Sequence, residues 1–318
     1  MKKLIHFLDY NIIGNFFEMA IIGKKLYLEI PSFPKPKIQL PPFVRFGNPY
    51  DKYKIIEQIG KGAFGSVIKV KEDDITFRAI KNVDVSKSSC LIKKALKEAT
   101  IGIDIIHPNI VKTHEVFYDG YNFFFVMDFV SPISFSSLAL KDKLLLFQQL
   151  VLADEHLISN GFLHRDIKLE NTGLIVDKNG KLQLLLFDFG EACRISDECD
   201  KCAGTVLNMS PEVVKYCEYS ESSEVWSLMC YLIEIITGKS MIWELFTGEH
   251  GSIQSIHIQL KIDSLKEPPI PEVFKKDTSS PSGLIILEIL ERGLAIDPKK
   301  RLTILELKHL LQQLIDSL

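Results

Sequence analysis

No stretch of this 318-residue chain reaches the roughly 20 consecutive apolar residues that a membrane-crossing helix needs, so no membrane span is expected. A strong charge of either sign is also missing. The 38 Lys and Arg against 41 Asp and Glu leave a net −3, and no global field points to nucleic acid, an anionic membrane or an acidic substrate. Cysteine is sparse: six residues, at positions 90, 193, 199, 202, 217 and 230, whose spacing does not resemble a small disulfide scaffold. That usage predicts a reducing, intracellular setting. A secretory leader is not expected either, because His6, Asp9 and Glu18 interrupt the apolar runs behind Lys2 and Lys3, and no small-residue cleavage site follows. Internal repeats are absent.

What is present is an ordinary globular balance, 46% hydrophobic, 25% charged and 10% aromatic, ample for a large core. At roughly 150 residues per domain the length predicts about two domains, or one bilobal unit with an extension. Apolar runs before residue 30 are split by Gly23-Lys24, a step able to turn a hairpin. Pro31, Pro34, Pro36, Pro41 and Pro42 then give a semi-rigid linker composition. Residues 1–50 are therefore read as an extension, either a strap on the main domain or a targeting or docking segment.

From Tyr53 the texture changes. Tyr53 to Ile59, Ser66 to Lys71, Phe77 to Asn82 and Phe123 to Met127 read as strands, with one helix over Leu91 to Ile105. Later runs show apolar spacing of three and four: Leu144 to Ser159, Glu224 to Thr237, Leu284 to Leu294 and Thr303 to Leu314. A small β-rich unit is followed by a larger helical one.

Three groups of residues carry chemistry. Gly60-Lys61-Gly62-Ala63-Phe64-Gly65-Ser66-Val67 lies between two strand-like runs. Glycines there let a turn approach a phosphate chain so that backbone N–H groups meet its oxygens. A dinucleotide-binding turn would need a helix next, whereas Val67 to Val70 continues as strand. Second, Ala79-Ile80-Lys81 closes an apolar run, and Glu98 on the following helix is a partner able to hold the Lys81 ammonium towards phosphates. Third comes His164-Arg165-Asp166-Ile167-Lys168-Leu169-Glu170-Asn171, followed by Asp188-Phe189-Gly190. Phosphoryl transfer needs a carboxylate to orient the attacking hydroxyl, hard oxygens for magnesium, and cations for the transferring charge. Asp166 suits the first role, Asn171 and Asp188 the second, and Lys168 with Lys81 the third.

In this order and spacing the residues resemble the eukaryotic-type protein kinase family, from about Tyr53 to Leu314. Further landmarks match: His107-Pro108-Asn109-Ile110-Val111, Met127 as a gatekeeper before a hinge at Asp128-Phe129-Val130, Gly204-Thr205 leading to Ser210-Pro211-Glu212, Val225-Trp226-Ser227-Leu228, and Arg301 as the partner of Glu212. The resemblance implies an α+β, bilobal fold with a small β-rich N-lobe over about 51–128 and a helical C-lobe over about 131–318. It implies ATP and Mg2+ as cofactors. Asp166 and Lys168 would be catalytic, and Asn171 and Asp188 would hold metal. Nucleotide contacts would come from Ile59, Gly60, Lys61, Gly62, Ala63, Phe64, Gly65, Val67, Ala79, Lys81, Glu98, Met127, Asp128 and Val130. Lys168 resembles the serine/threonine class, so the implied activity is phosphorylation of Ser or Thr in protein substrates. Glu170 and Glu234 match positions that bind a basic residue upstream of the acceptor in some members.

The chain departs from the family pattern at several places. Ser210 replaces an alanine, Asn208 a common aromatic, and Glu224 stands where an aspartate normally ties down the catalytic loop. Gly102 and Gly173 replace bulky apolar residues, the latter the floor under adenine. None of these removes a catalytic group. A pseudokinase scaffold is the alternative function, but its usual sign is loss of the residues present here as Lys81, Asp166 or Asp188. Cys193, Cys199 and Cys202 are incomplete for structural zinc, with no histidine between Cys193 and Cys217, and are expected to be three free thiols in a mobile loop. Lys201 occupies the usual phosphoacceptor position, so an acid among Asp197, Glu198 and Asp200 is expected to meet Arg165 in place of a phosphate, with phosphorylation of Ser196 as the rival.

Overall fold

The computed structural model describes residues 21–22, 25–26, 40–62, 65–177, 179–196, 202–241, 255–276 and 279–318. The chain divides into two compact units, Met1–Gln39 and Leu40–Leu318. In the first, β1 (Ile21–Ile22) pairs antiparallel with β2 (Lys25–Leu26), flanking the predicted Gly23-Lys24 turn, which itself lies outside the described residues. So does the linker as far as residue 39.

The second unit opens with a six-stranded sheet. Its strands are β3 (Val44–Phe46), β4 (Lys54–Gly62), β5 (Gly65–Lys71), β6 (Phe77–Asp84), β7 (Thr113–Tyr118) and β8 (Asn122–Asp128), in the order β3-β7-β8-β6-β5-β4. Only β3 pairs parallel, with β7. The sheet therefore begins inside the stretch assigned from sequence to the extension. The β7–β8 turn is set by Asp119, whose side chain accepts from the N–H groups of Tyr121 and Asn122, and by Gly120 at φ 104°. Helix α1 (Ser89–Asp104) starts at Ser88, whose side chain accepts from the Cys90 N–H. Small Ala95 and Ala99 let it lie against Val85, Val116, Phe123 and Phe125.

The helical half follows. Helix α2 (Leu140–Ser159) precedes four short strands, β9 (Phe162–Leu163), β10 (Thr172–Val176), β11 (Leu182–Leu186) and β12 (Cys193–Arg194). Then come α3 (Pro211–Tyr216), α4 (Glu221–Thr237), α5 (Ser255–Asp263), α6 (Glu272–Lys276), α7 (Pro281–Gly293) and α8 (Ile304–Asp316). A capping box between Ser220 and Ser223 begins α4, and Gly238 in the left-handed region ends it. Val225, Trp226, Leu228, Met229, Tyr231, Leu232 and Ile233 are fully buried, so apolar contact surrounds α4, which is the central helix of the larger core.

Two bridges tie the halves together. Ser131 and Leu174 exchange backbone hydrogen bonds of 2.9 and 2.8 Å, and Val111 N–H donates to Leu186 O at 2.9 Å. The architecture is the bilobal α+β arrangement expected, with β3, β7 and the short strands β9 to β12 not foreseen from the sequence. Among the described residues no helix is long and apolar enough to cross a membrane.

Candidate active site

Strand register assembles the first half of the site. Gly60 stands opposite Val67, Val67 opposite Lys81, and Lys81 opposite Phe125, so four strands bring these positions into one row. Ala79 is likewise opposite Met127. At Gly65 the start of β5 lies close against β6: a Cβ there would stand 1.7 Å from the Asn82 carbonyl oxygen, so only glycine fits. Ala63 and Phe64 lie outside the described residues. The Asp128 carboxylate accepts from Arg78 and His114, both at 2.7 Å, and its N–H donates to Lys112 O at 3.1 Å. Burial alone would raise the Asp128 carboxyl, but the His114 hydrogen bond and the charges of His114 and Arg78 hold it below its ordinary value.

Lys81 Nζ donates to Glu98 Oε1 at 2.6 Å and to Asp188 Oδ1 at 2.7 Å. Burial works against the ammonium, yet the two carboxylates outweigh it and push the Lys81 pKa up, keeping it charged. Burial lifts Glu98 above its usual range. Asp188, which burial alone would raise, is held below its ordinary value by Lys81 and by the Gly190 N–H. A lysine, a helix glutamate and a loop aspartate from three separate elements thus meet at hydrogen-bond distance.

The second half centres on Asp166. Thr205 Oγ1 donates to Asp166 Oδ1 at 2.7 Å, and Lys168 Nζ lies 2.7 Å from both Asp166 Oδ2 and Thr205 Oγ1. Asn171 Nδ2 donates to the Asp166 carbonyl at 2.8 Å and to its Oδ2 at 2.9 Å. Arg165 and Asp188 adopt φ values of 66° and 68°, left-handed conformations that non-glycine residues rarely hold without surrounding support. At Arg165 that support is Glu224, which accepts from the N–H of His164 at 3.1 Å and of Arg165 at 3.0 Å. His164 is fully buried, its ring edge-on to Phe189, and burial lowers its pKa so that the imidazole is neutral.

The two unusual glycines are filled by neighbours. A Cβ at Gly102 would stand 2.3 Å from Thr113 Oγ1, and one at Gly173 would stand 2.4 Å from Val130 Cγ2. The hinge therefore descends into the space a larger residue 173 would take. Arg301 makes a bidentate pair with Glu212, at 2.6 and 3.0 Å, as the motif resemblance implied.

One expectation is changed. Cys202 is not a free thiol: it is disulfide-bonded to Cys217, with Cα atoms 5.0 Å apart. Helix α3 lies between them and brings Cys217 back to Cys202, a proximity that spacing alone does not reveal. Cys193 is buried in β12, and Cys199 lies outside the described residues. Asp197, Glu198, Asp200 and Lys201 also lie outside them. Within them, the Arg165 guanidinium sits over the Tyr219 ring at 4.7 Å and its Nε donates to Glu191 O at 2.6 Å. Tyr219 also exchanges hydrogen bonds with the Ala203 backbone. Tyr219 and Asp154, a buried neighbour of Glu224, were not among the residues expected from sequence.

The family model for the protein kinase domain matches residues 53–313. Among curated proteins, the chain is 30% identical to serine/threonine-protein kinase Nek1 of Mus musculus, over 72% of this chain and 19% of that protein. It is 27% identical to mitogen-activated protein kinase kinase kinase 1 of Arabidopsis thaliana, over 78% of this chain and 40% of that protein. It is 29% identical to the calcium/calmodulin-dependent protein kinase type II alpha chain of Drosophila melanogaster, over 81% and 49% respectively. The chain thus spans half or less of each of these relatives.

Proposed function

The chain belongs to the protein kinase family, and we propose that it transfers the γ-phosphate of ATP to serine or threonine hydroxyls of protein substrates. The observation that carries this reading is the joint presence of a charged Lys81 held by Glu98 and Asp188 and an Asp166 whose carboxylate already accepts from a threonine hydroxyl. Asp166 holds Thr205 Oγ1 at the distance a general base needs from an acceptor hydroxyl. Lys168, touching both, steadies negative charge on the acceptor side. Lys81 supplies the cation for the phosphate chain.

The donor set fits Mg2+. Asn171 spends its amide nitrogen on Asp166, which leaves its amide oxygen for a metal, and Asp188 spends Oδ1 on Lys81 and Gly190, which leaves Oδ2. Both are hard oxygen ligands of the type Mg2+ takes. Asn171 and Asp188 would hold the metal through those oxygens, and it would supply positive charge to offset what develops on the transferring phosphate. Ile59, Gly60, Lys61, Gly62, Gly65, Val67, Ala79 and Met127 would line the nucleotide side, with Ala63 and Phe64 at the turn. Asp128, its side chain and N–H committed elsewhere, would contribute through its carbonyl. Val130 would supply the floor.

Glu170 and Glu234 form no ion pair among the described residues, and burial followed by the Glu170 charge raises the Glu234 carboxyl. An arginine upstream of the acceptor would relieve that repulsion, so a basic substrate preference is proposed. An intracellular setting remains the proposed location. The test is incubation with γ-labelled ATP, Mg2+ and a degenerate peptide library containing Ser, Thr and Tyr acceptors. Label on Ser or Thr, lost with EDTA and enriched behind upstream Arg, is expected. Label confined to Tyr, or none, refutes the assignment.

A further inference from the structure

Helix α2 carries an acid where its apolar face predicts a hydrocarbon. Asp154 is 0% exposed, and Leu150, Val151, Ala153 and Leu157 of the same helix are fully buried with it. Neither of its carboxylate oxygens accepts a hydrogen bond from any donor among the described residues. Its polar neighbour is Glu224 on α4, 1% exposed, and each carboxyl group acts electrostatically on the other.

Two carboxylates in contact away from water cannot both be ionised, so one proton lies between them. Its location follows from the donors. Glu224 receives the backbone N–H groups of His164 and Arg165, which favour its anionic form. Asp154 receives none. The charged and titratable groups facing the pair agree: Arg165 acts on Glu224, Glu221 adds negative charge at Asp154, and His164 is neutral. Burial raises both acids.

We propose that Asp154 is a positioning residue of the phosphoryl-transfer site, which keeps its proton, donates a hydrogen bond to Glu224 and thereby holds the Glu224 carboxylate against the backbone of the catalytic loop. The chain of action is short. Asp154 fixes the long, otherwise rotatable Glu224 side chain. Glu224 holds the N–H groups that keep Arg165 at φ 66°. Arg165 in that conformation delivers Asp166, the next residue, to Thr205 and Lys168. Glutamate is one methylene longer than aspartate, and the second acid removes the extra rotamer freedom.

The consequence for transfer rests on the proposed kinase activity; the shared proton does not, and the test separates them. At neutral pH the infrared difference between wild type and Asp154→Asn contains a protonated-carboxyl C=O stretch belonging to wild type. Its absence overturns the proposal whether or not the protein transfers phosphate. For positioning, Asp154→Leu, which fills the site but donates nothing, lowers kcat at least tenfold with KM for ATP within about twofold. Asp154→Asn, which keeps an N–H donor, recovers most of that loss. Equal kcat for Leu and Asn overturns it, as does a wild-type rate in the Leu variant. Should the Leu variant not fold, the infrared result alone decides.

Discussion

Gly173→Leu places a side chain under the hinge where none fits. Its Cβ would stand 2.4 Å from Val130 Cγ2, 2.7 Å from Val130 Cβ and 3.2 Å from Ser131 O, against the 3.5–4.0 Å at which carbon atoms pack favourably. Val130 cannot simply lift, because Ser131 and Leu174 hold each other by two backbone hydrogen bonds. Overpacking of this kind costs about 1–3 kcal/mol. If the strain is expressed as hinge displacement, nucleotide affinity falls by roughly 5- to 150-fold. Calorimetric titration with Mg-ATP measures it directly. Val130→Ala in the same chain removes the clashing methyls, so the double variant is expected to recover at least half of the lost binding free energy. Unchanged affinity in Gly173→Leu alone, or no recovery in the double variant, refutes the claim that Val130 has taken the place of residue 173.

The Cys202–Cys217 bond closes a separation of 15 residues, worth about 3 kcal/mol on chain-entropy grounds. Cys202→Ser, or dithiothreitol on wild type, should lower Tm by roughly 6–12 °C; an unchanged Tm means that no bond forms in solution. His164 is buried with its pKa lowered, so the stability it confers is complete above the unfolded imidazole value, about 6.5, and is lost as pH falls through the folded one. Denaturation midpoints between pH 7 and 5 should therefore fall more steeply in wild type than in His164→Phe, and equal slopes contradict the assignment.

The candidate catalytic constellation was legible because its members sit in short, fixed spacings. Asp166, Lys168 and Asn171 lie on one turn of chain, and Asp188 follows at a hairpin's length. The row Gly60, Val67, Lys81 was less accessible, since it depends on sheet register, which here shifts between Ile55 and Glu57 and again between Gln58 and Gly60. Strand β3 eluded sequence reading because three residues carry no period, and its partner β7 opens with the polar block Thr113, His114 and Glu115, leaving only three apolar residues. Cys202 and Cys217 meet only after α3 has turned the chain. Asp154 did leave a signal: Leu150, Asp154 and Leu157 fall at helical spacing on one face, an acid inside an apolar stripe. Its partner, however, is 70 residues away in sequence (224 − 154), beyond any local pattern.

The central claim is that Asp166 orients the acceptor hydroxyl within the network of Thr205, Lys168 and Asn171. Single-turnover transfer from saturating Mg-ATP to a serine peptide, wild type beside Asp166→Asn, tests it most directly. Asparagine keeps the shape but is a far weaker proton acceptor, so the rate should drop at least about a hundredfold with nucleotide affinity preserved. A wild-type rate in Asp166→Asn would contradict the account.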